Sequence, residues 1–338
     1  MQLKTTQQLE LPPTADMHVH LRQAELMELV APTVRQGGVD TALEYKAQLQ
    51  KIDPNVHYLM SLFLHPSVTP DVIAKAAAAG ITGVKMYPQG VTTNSENGVA
   101  NVEAFYPTFA AMEENDMVLN LHGEVLESLA PENTTLEEAF LPTLKKLHER
   151  FPRLRIVLLK QSRPAVPPLA IATITAHHLY LTGADACCDP FAFCKPIPKK
   201  PTDRDALLKA LVSGNPKFFF GSDSAPHQII SKTSAEQGKA PAGVFTQPVA
   251  TQLVLMALEE GVVRGDISEN DITHEKLEGF LSRHGRRFYK LPETSDKKII
   301  LERKGEKIGT SVKSADGKSE VGISRAGSEI FSLAWESV

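Results

Sequence analysis

Short apolar runs alternate with amphipathic stretches along most of this 338-residue chain. The apolar runs are rich in β-branched and aromatic side chains, which is typical of strands. They cover residues 16–21, 58–64, 83–87, 117–122, 155–159, 169–175 and 217–221. The stretches with helical periodicity cover residues 70–79, 102–114, 136–149 and 247–260. This alternation predicts a parallel sheet covered by helices, closed into an α/β barrel of the TIM-like (β/α)8 type.

Two places interrupt the alternation. Residues 24–36 and 39–50 are both predicted to be helical, with only two glycines between them where a barrel needs a strand. The predicted strands at 155–159 and 169–175 are joined by a proline-rich link, although parallel neighbours need a crossover of about 10–12 residues. We therefore expect a barrel that lacks or distorts one strand. Residues after about 298 are predicted to form short strands outside it, as a C-terminal extension of a single domain spanning 1–338.

Charge and composition narrow the range of partners. The net charge of −4 and the pI near 6.3 give no electrostatic reason to expect binding to nucleic acid or to an anionic membrane. The sequence shows neither a signal peptide nor an apolar run long enough to span a bilayer, so a cytoplasmic location is expected. Cys187, Cys188 and Cys194 are expected to be reduced thiols, because no second cluster matches them as a metal site.

Polar residues occupy one face of the first predicted strand. In "ADMHVHLRQ", side-chain alternation places Asp16, His18, His20 and Arg22 on one face and apolar side chains on the other. A strand normally buries apolar side chains on such a face. Two histidines in phase with an aspartate therefore favour metal ligation over satisfied polar residues near a strand end.

Further candidate residues lie at the ends of later predicted strands, where barrels place their chemistry. Lys85 stands within an apolar strand, and a buried lysine is costly unless it is paired or modified. As a carbamate it would be anionic and could bridge two metal ions. His122 ends the next strand, and Asp223 follows the apolar run "FFFGS", with His227 four residues later. Paired metal ions activate water and polarise a carbonyl, so we expect hydrolysis at an amide or ester carbon with Asp223 as general base.

Six motifs resemble the dihydroorotases of the amidohydrolase superfamily, in the monofunctional branch of many bacteria and fungi. They are "DMHVHLR", "KMYPQGVTTNS", "LHGE", "ATITAHHL", "FCKPIPKK" and "FFFGSDSAPH…APAGVF". The resemblance implies a TIM-like barrel with two zinc ions and a small-molecule substrate. The implied reaction is the reversible cyclisation of N-carbamoyl-L-aspartate to L-dihydroorotate in pyrimidine (UMP) biosynthesis. It also implies a homodimer, the state of many family members.

The resemblance implies a role for individual residues. His18, His20 and Asp223 would bind the first zinc ion, carboxylated Lys85 would bridge the pair, and His122 would bind the second. Six residues are implied in substrate binding: Arg22, Thr92, Thr93, Lys195, His227 and Ala242. Of these, the two threonines lie on what resembles a mobile loop that closes over substrate.

Two family features are missing, and they coincide with the two interruptions. A family strand ending in Met-Pro-Asn, whose asparagine binds the substrate carboxylate, is absent between Gly38 and Val39. A family Glu-His pair, whose histidine completes the second zinc site, is replaced by Leu159 and Lys160. A protonated lysine has no lone pair to donate to zinc. Four nearby donors are not expected to replace the histidine: His177, His178, Cys187 and Cys188.

Three functions stay open on the sequence alone. The first is a working dihydroorotase. The second is a catalytically impaired dihydroorotase-like protein with a binding or structural role. The third is another cyclic amidase, such as a hydantoinase-like enzyme, against which the "TTNS" and "DSAPH" motifs argue. The two losses predict a poor catalyst that binds less than a full zinc pair and melts early.

Overall fold

The computed structural model describes residues 1–21, 38–92, 95–160, 171–236, 240–293 and 296–338. Contacts divide the chain into two compact units. The first unit comprises Met1–Val30, Lys160–Pro164 and Ala172–Val338, and the second comprises Ala31–Leu159 and Ala165–Ile171. The helix predicted over 24–36 and the proline-rich link over 161–170 lie outside the described residues.

Strands and helices alternate through most of the described chain. The strands are β1 Gln8–Leu11, β2 Ser61–Phe63, β3 Gly83–Met86, β4 Val118–Leu121, β5 Arg155–Lys160, β6 Ile171–Ile174, β7 Phe218–Phe220, β8 Lys297–Lys307, β9 Ser311–Lys313, β10 Glu320–Gly322 and β11 Glu329–Ser337. The helices are α1 Val39–Ile52, α2 Pro70–Ala78, α3 Tyr106–Glu114, α4 Leu136–Arg150, α5 Gly183–Cys188, α6 Pro201–Val212, α7 Ile229–Thr233, α8 Ala250–Arg264, α9 His274–Glu278 and α10 His284–Phe288.

In the second unit, β2, β3, β4 and β5 pair in parallel in chain order. One row of residues in register crosses this sheet, and each of its side chains is fully buried: Leu62, Val84, Leu119 and Ile156. Helices α2, α3 and α4 connect these strands, as expected when both faces of a parallel sheet are covered. The carboxyl ends of β3 and β4 carry Lys85 and His122.

In the first unit, β6 and β7 pair in parallel, with Ile174 opposite Phe220. The strand predicted over residues 16–21 is wrong as a regular strand, because the described residues there form a single parallel bridge, from Val19 to Ser224. The carboxylate of Asp16 accepts hydrogen bonds from the amides of Ser222 and His18, at 2.7 and 3.2 Å. Near the bridge, these two backbone amides thus bond to the Asp16 side chain.

The chain ends also form sheet in the first unit. Strand β8 pairs antiparallel with β1 on one side and with β11 on the other, and β9 pairs with β10. Strands after about residue 298 are therefore confirmed, although β8 and β11 are long. Strand β1 was not predicted, since its four residues carry too short an alternation to stand out. The single-domain organisation stays a prediction.

Helix α1 begins at Val39, directly after Gly38. Among the described residues from Gly38 to the start of β2 at Ser61 there is no strand. The helix predicted over 39–50 is thus confirmed, whereas the strand loss predicted before Val39 stays a prediction, because residues 22–37 lie outside the described residues.

Candidate active site

Two histidines and one aspartate meet in the first unit, and we call them the His18 cluster: His18, His20 and Asp223. The Nε2 atom of His20 lies 2.8 Å from Oδ1 of Asp223, and that of His18 lies 3.4 Å from the same oxygen. One ligand atom from each residue lies within 4.8 Å of the others. Two imidazoles and a carboxylate are a common donor set for zinc, so these residues fit the metal that the sequence implies.

The backbone around β7 brings this aspartate to the two histidines. Asp223 adopts a left-handed conformation with φ of +47°, which aspartate tolerates better than most residues. Its amide donates to the His18 carbonyl at 2.6 Å. A Cβ at Gly221 would lie 2.6 Å from Cβ of His18 and 2.8 Å from Cγ2 of Thr173, so only glycine allows this approach. A strained turn at the end of a buried strand is typical of a functional site.

The pKa values of two carboxylates in this region are shifted in opposite directions. Burial alone would raise the pKa of Asp223, but His18 and His20 lower it well below its usual range. For half-buried Asp16, burial raises the pKa to about 6, although hydrogen bonds from Ser222 oppose the shift. Both carboxylates are therefore mainly ionised at neutral pH, and Asp223 stays ionised to lower pH than Asp16, as suits a metal ligand.

Four residues form a second cluster at the carboxyl ends of β3 and β4, which we call the His122 cluster: Lys85, Tyr87, His122 and Glu124. The Nζ atom of half-buried Lys85 lies 4.9 Å from the centre of the Tyr87 ring. That ring in turn lies 5.9 Å from the ring of His122. The structure thus brings Lys85 and His122 to one region, as the sequence predicts.

The carboxylate of Glu124 orients His122. Its Oε2 atom lies 2.9 Å from Nε2 of His122, and both side chains are buried. This bond places the proton on Nε2 and leaves the lone pair of Nδ1 for a metal, as in carboxylate–histidine–metal arrangements. Glu124 was not predicted as part of the site, although its position two residues after His122 in "LHGE" was visible.

The structure brings together one pair of the implied substrate-binding residues. The Nε2 atom of His227 lies 2.9 Å from the carbonyl oxygen of Ala242. Lys195 precedes a cis peptide bond to Pro196, and Thr92 lies in a turn in which its amide donates to Ser95 Oγ at 2.9 Å. Arg22 and Thr93 lie outside the described residues.

A buried lysine fixes the loop that carries Ala242. The ammonium of Lys232 donates to the carbonyls of Pro190, Phe193 and Pro241, at 2.6, 3.4 and 3.2 Å. The Gly243 amide also donates to the Phe193 carbonyl, at 2.9 Å. Lys232 was not predicted as part of the site, because its partners lie up to 42 positions away along the chain.

The chain is similar to known proteins over most of its length. A probable dihydroorotase of Schizosaccharomyces pombe is 44% identical over 328 residues, which cover 90% of this chain and 94% of that relative. The crystal structure of Saccharomyces cerevisiae dihydroorotase in complex with 5-fluoroorotic acid matches with a TM-score of 0.85 and 38% identity, covering 98% of this chain and all of the other. Dihydroorotase from Campylobacter jejuni matches with a TM-score of 0.79 and 30% identity, covering 98% of each chain. No family model matches the chain.

These likenesses confirm the predicted fold class, the TIM-barrel fold of the amidohydrolases. Within the described parts of the chain, no helix is both long enough and apolar enough to cross a bilayer.

Proposed function

This chain belongs to the dihydroorotase family, and we propose that it interconverts N-carbamoyl-L-aspartate and L-dihydroorotate with the help of two zinc ions. The family is one of cyclic amide hydrolases in pyrimidine biosynthesis. The observation that carries the proposal is the His18 cluster, in which two imidazoles approach a single oxygen of Asp223. That donor set suits zinc, and its carboxylate is placed to move a proton.

Zinc, when bound, would make water more acidic and polarise the ring amide carbonyl. In hydrolysis, Asp223 accepts a proton from the attacking water as the carbon–oxygen bond forms. It then delivers this proton to the ring nitrogen as the carbon–nitrogen bond breaks. In ring closure, Asp223 takes the proton from the carbamoyl nitrogen as the carbon–nitrogen bond forms, and returns it to the oxygen that leaves the carboxyl carbon as water. The low pKa that His18 and His20 impose keeps Asp223 ionised.

The metal ligands of the proposal divide between the two clusters. His18, His20 and Asp223 would bind the first zinc ion, and His122 would bind the second. Lys85, carboxylated on Nζ, would be shared by the two ions, as in the family pattern. The bond from His122 to Glu124 supports this assignment, because it orients the ring for ligation.

The remaining proposed contacts concern the substrate. Arg22 and His227 would bind its carboxylate through charge-assisted hydrogen bonds. The Lys195 backbone and Ala242 would touch the pyrimidine ring, and Thr92 and Thr93 would close over it. The bond between His227 and the Ala242 carbonyl supports a common role for these two residues.

The test is an assay of the purified full chain in both directions, with zinc content measured on the same sample. We expect turnover of dihydroorotate without turnover of hydantoins. Hydantoin turnover alone would assign the chain to another cyclic amidase. A folded, zinc-loaded chain that turns over neither substrate would be the dihydroorotase-like protein with a binding or structural role.

We also propose a cytoplasmic location and a homodimer. The dimer rests on the family resemblance, and the location rests on the reduced thiols that the sequence predicts for Cys187, Cys188 and Cys194. Light scattering coupled to gel filtration measures the assembly, and a monomer at micromolar concentration would refute the dimer. Fractionation of cells that express the tagged chain tests its location.

A further inference from the structure

A second group of metal-ligating side chains lies in the first unit, and the proposed reaction uses none of them as ligands. His177, His178 and Cys194 are each buried, with 0%, 1% and 2% of their surface exposed. One donor atom from each lies within 4.8 Å of the others. The two histidines belong to a single turn after β6, and the cysteine lies on the segment that follows α5.

His177 is the unusual member of the group. Within the described part of the chain, neither of its ring nitrogens has a hydrogen-bond partner. Burial, reinforced by the neighbouring His178, lowers the pKa of His177 to about 3, so the ring is neutral at physiological pH. A buried polar group without a partner is costly and rare in native structures, and it calls for an explanation. A metal ion would accept the lone pair that the protein leaves unused.

The other two donors have partners that a metal could replace. His178 bonds to Oγ1 of Thr175 through Nδ1 at 2.7 Å and to the Pro196 carbonyl through Nε2 at 3.1 Å. One of these bonds gives way on ligation, and the other then orients the ring from outside the metal shell. The Cys194 sulfur lies 3.6 Å from the same carbonyl. On binding, the sulfur–hydrogen bond breaks, the metal–sulfur bond forms and the proton passes to solvent.

We propose that His177, His178 and Cys194 form a zinc site that shares no ligand with the His18 cluster. His177 nevertheless interacts electrostatically with Asp223. Two imidazoles and a thiolate are borderline-soft donors that select zinc or cobalt over magnesium or calcium, which prefer oxygen ligands. The ring centres of the two histidines lie 4.5 Å apart, and one donor atom of each lies within 4.8 Å of the other and of the sulfur. Three protein ligands leave a fourth position for water.

The test uses cobalt as a spectroscopic substitute for zinc in the metal-free full chain. Thiolate ligation gives a near-ultraviolet charge-transfer band, which the His18 cluster cannot produce because it contains no sulfur. We expect the band in the native chain and in the double variant Cys187→Ser/Cys188→Ser, whose thiols are exposed. We expect its loss in Cys194→Ser. A native chain without the band, or a band lost in the double variant, would overturn the proposal.

His177 has a matched control. His148 is also buried, and its ring nitrogens also have no partner among the described residues, but it does not belong to the group. His177→Phe should weaken cobalt binding at the band-forming site at least tenfold, whereas His148→Phe should leave it unchanged. Equal titration curves for the two variants would contradict the assigned role of His177.

A further measurement leaves His177, His178 and Cys194 unchanged, so it does not depend on whether variants of these residues fold. Zinc-edge X-ray absorption of the Cys187→Ser/Cys188→Ser chain should show a sulfur neighbour at about 2.3 Å. Cys194 is then the single cysteine that remains, since the chain has three. A zinc-loaded sample without a sulfur neighbour would refute the site. The outcome is independent of the dihydroorotase assay, because no residue assigned to that reaction as a ligand belongs to this group.

Discussion

In the His18 cluster two histidines share one carboxylate, whereas in the His122 cluster the histidine has a carboxylate of its own. His18 and His20 both approach Oδ1 of Asp223, so three potential ligands already face a common centre. His122 gives one nitrogen to Glu124 and has one left to offer. The residue that completes this second site in the family is replaced here by Lys160. One cluster therefore brings three possible donors together, and the other offers one imidazole and lacks the histidine of the family pair.

This difference indicates that the two clusters would hold their zinc ions with unequal affinity. A preorganised ligand set binds metal without further rearrangement, so the first zinc ion should be retained. The second ion would depend on His122 and a modified Lys85, and the sequence provides no further donor at position 160. We therefore expect the two sites to respond differently when each is changed by one residue.

The largest effect should follow from Asp223→Asn. The amide can neither accept the proton nor attract His18 and His20, so turnover should fall by about 10²–10⁴, the usual cost of losing a general base. Steady-state rates on dihydroorotate and zinc content check this. Asp316→Asn, on an exposed turn of the same unit, is the control and should match the native chain. A folded Asp223→Asn chain with a tenth of native turnover would show that another group moves the proton.

The second-largest effect should follow from restoring the family Glu-His pair at positions 159 and 160. Leu159→Glu/Lys160→His restores the family pair, and we expect it to raise zinc affinity of the second site by about 10–100-fold, at least the effect of an outer-shell partner. Zinc per chain and the rate of ring opening should both rise. The control, Leu159→Glu/Lys160→Gln, restores the acid without the ligand. If both variants behave alike, or if the native chain already binds as much zinc as the repaired one, the second site is not deficient.

A smaller effect is expected from Glu124→Gln. The amide preserves the shape of the side chain but removes the charge that orients His122, so zinc affinity of the second site should fall about tenfold. Competition with a metal chelator measures the affinity. Glu127→Gln, three residues further on and exposed, serves as the control. An unchanged affinity would mean that Glu124 does not act on the metal through His122.

Local sequence patterns predicted the parts of the site that depend on nearest neighbours. The alternation around His18 and His20 was visible, and so was the helical periodicity over 136–149, where α4 forms over Leu136–Arg150. Helix α8 was predicted from residue 247 but begins at Ala250, because Gln247–Val249 form a separate 3-10 turn.

Long-range contacts were not predictable in this way. The carboxylate of Asp16 reaches Ser222, 206 positions away, and the regular strand expected at 16–21 is reduced to one bridge. The role of Lys232 depends on carbonyls that only the folded chain brings together. Among the described residues, the ring nitrogens of His177 have no hydrogen-bond partner. This was not predictable either, because it depends on which side chains the fold places around the ring.

The smallest effect concerns the free energy of unfolding at low pH. It tests whether buried His148, which is not a proposed metal ligand, makes the chain less stable in acid. Burial lowers the pKa of His148 in α4 below its ordinary value of 6.5. Below that pH the unfolded chain binds more protons than the folded chain, so this residue lowers the free energy of unfolding as the pH falls. His148→Leu should remove that slope, at most about 1.4 kcal/mol for each pH unit below 6.5. Urea unfolding at pH 7 and pH 5 measures it, with the exposed His57→Leu as control. If His148→Leu loses as much stability on acidification as the control, acid sensitivity arises elsewhere, and the His122 cluster becomes the first region to examine.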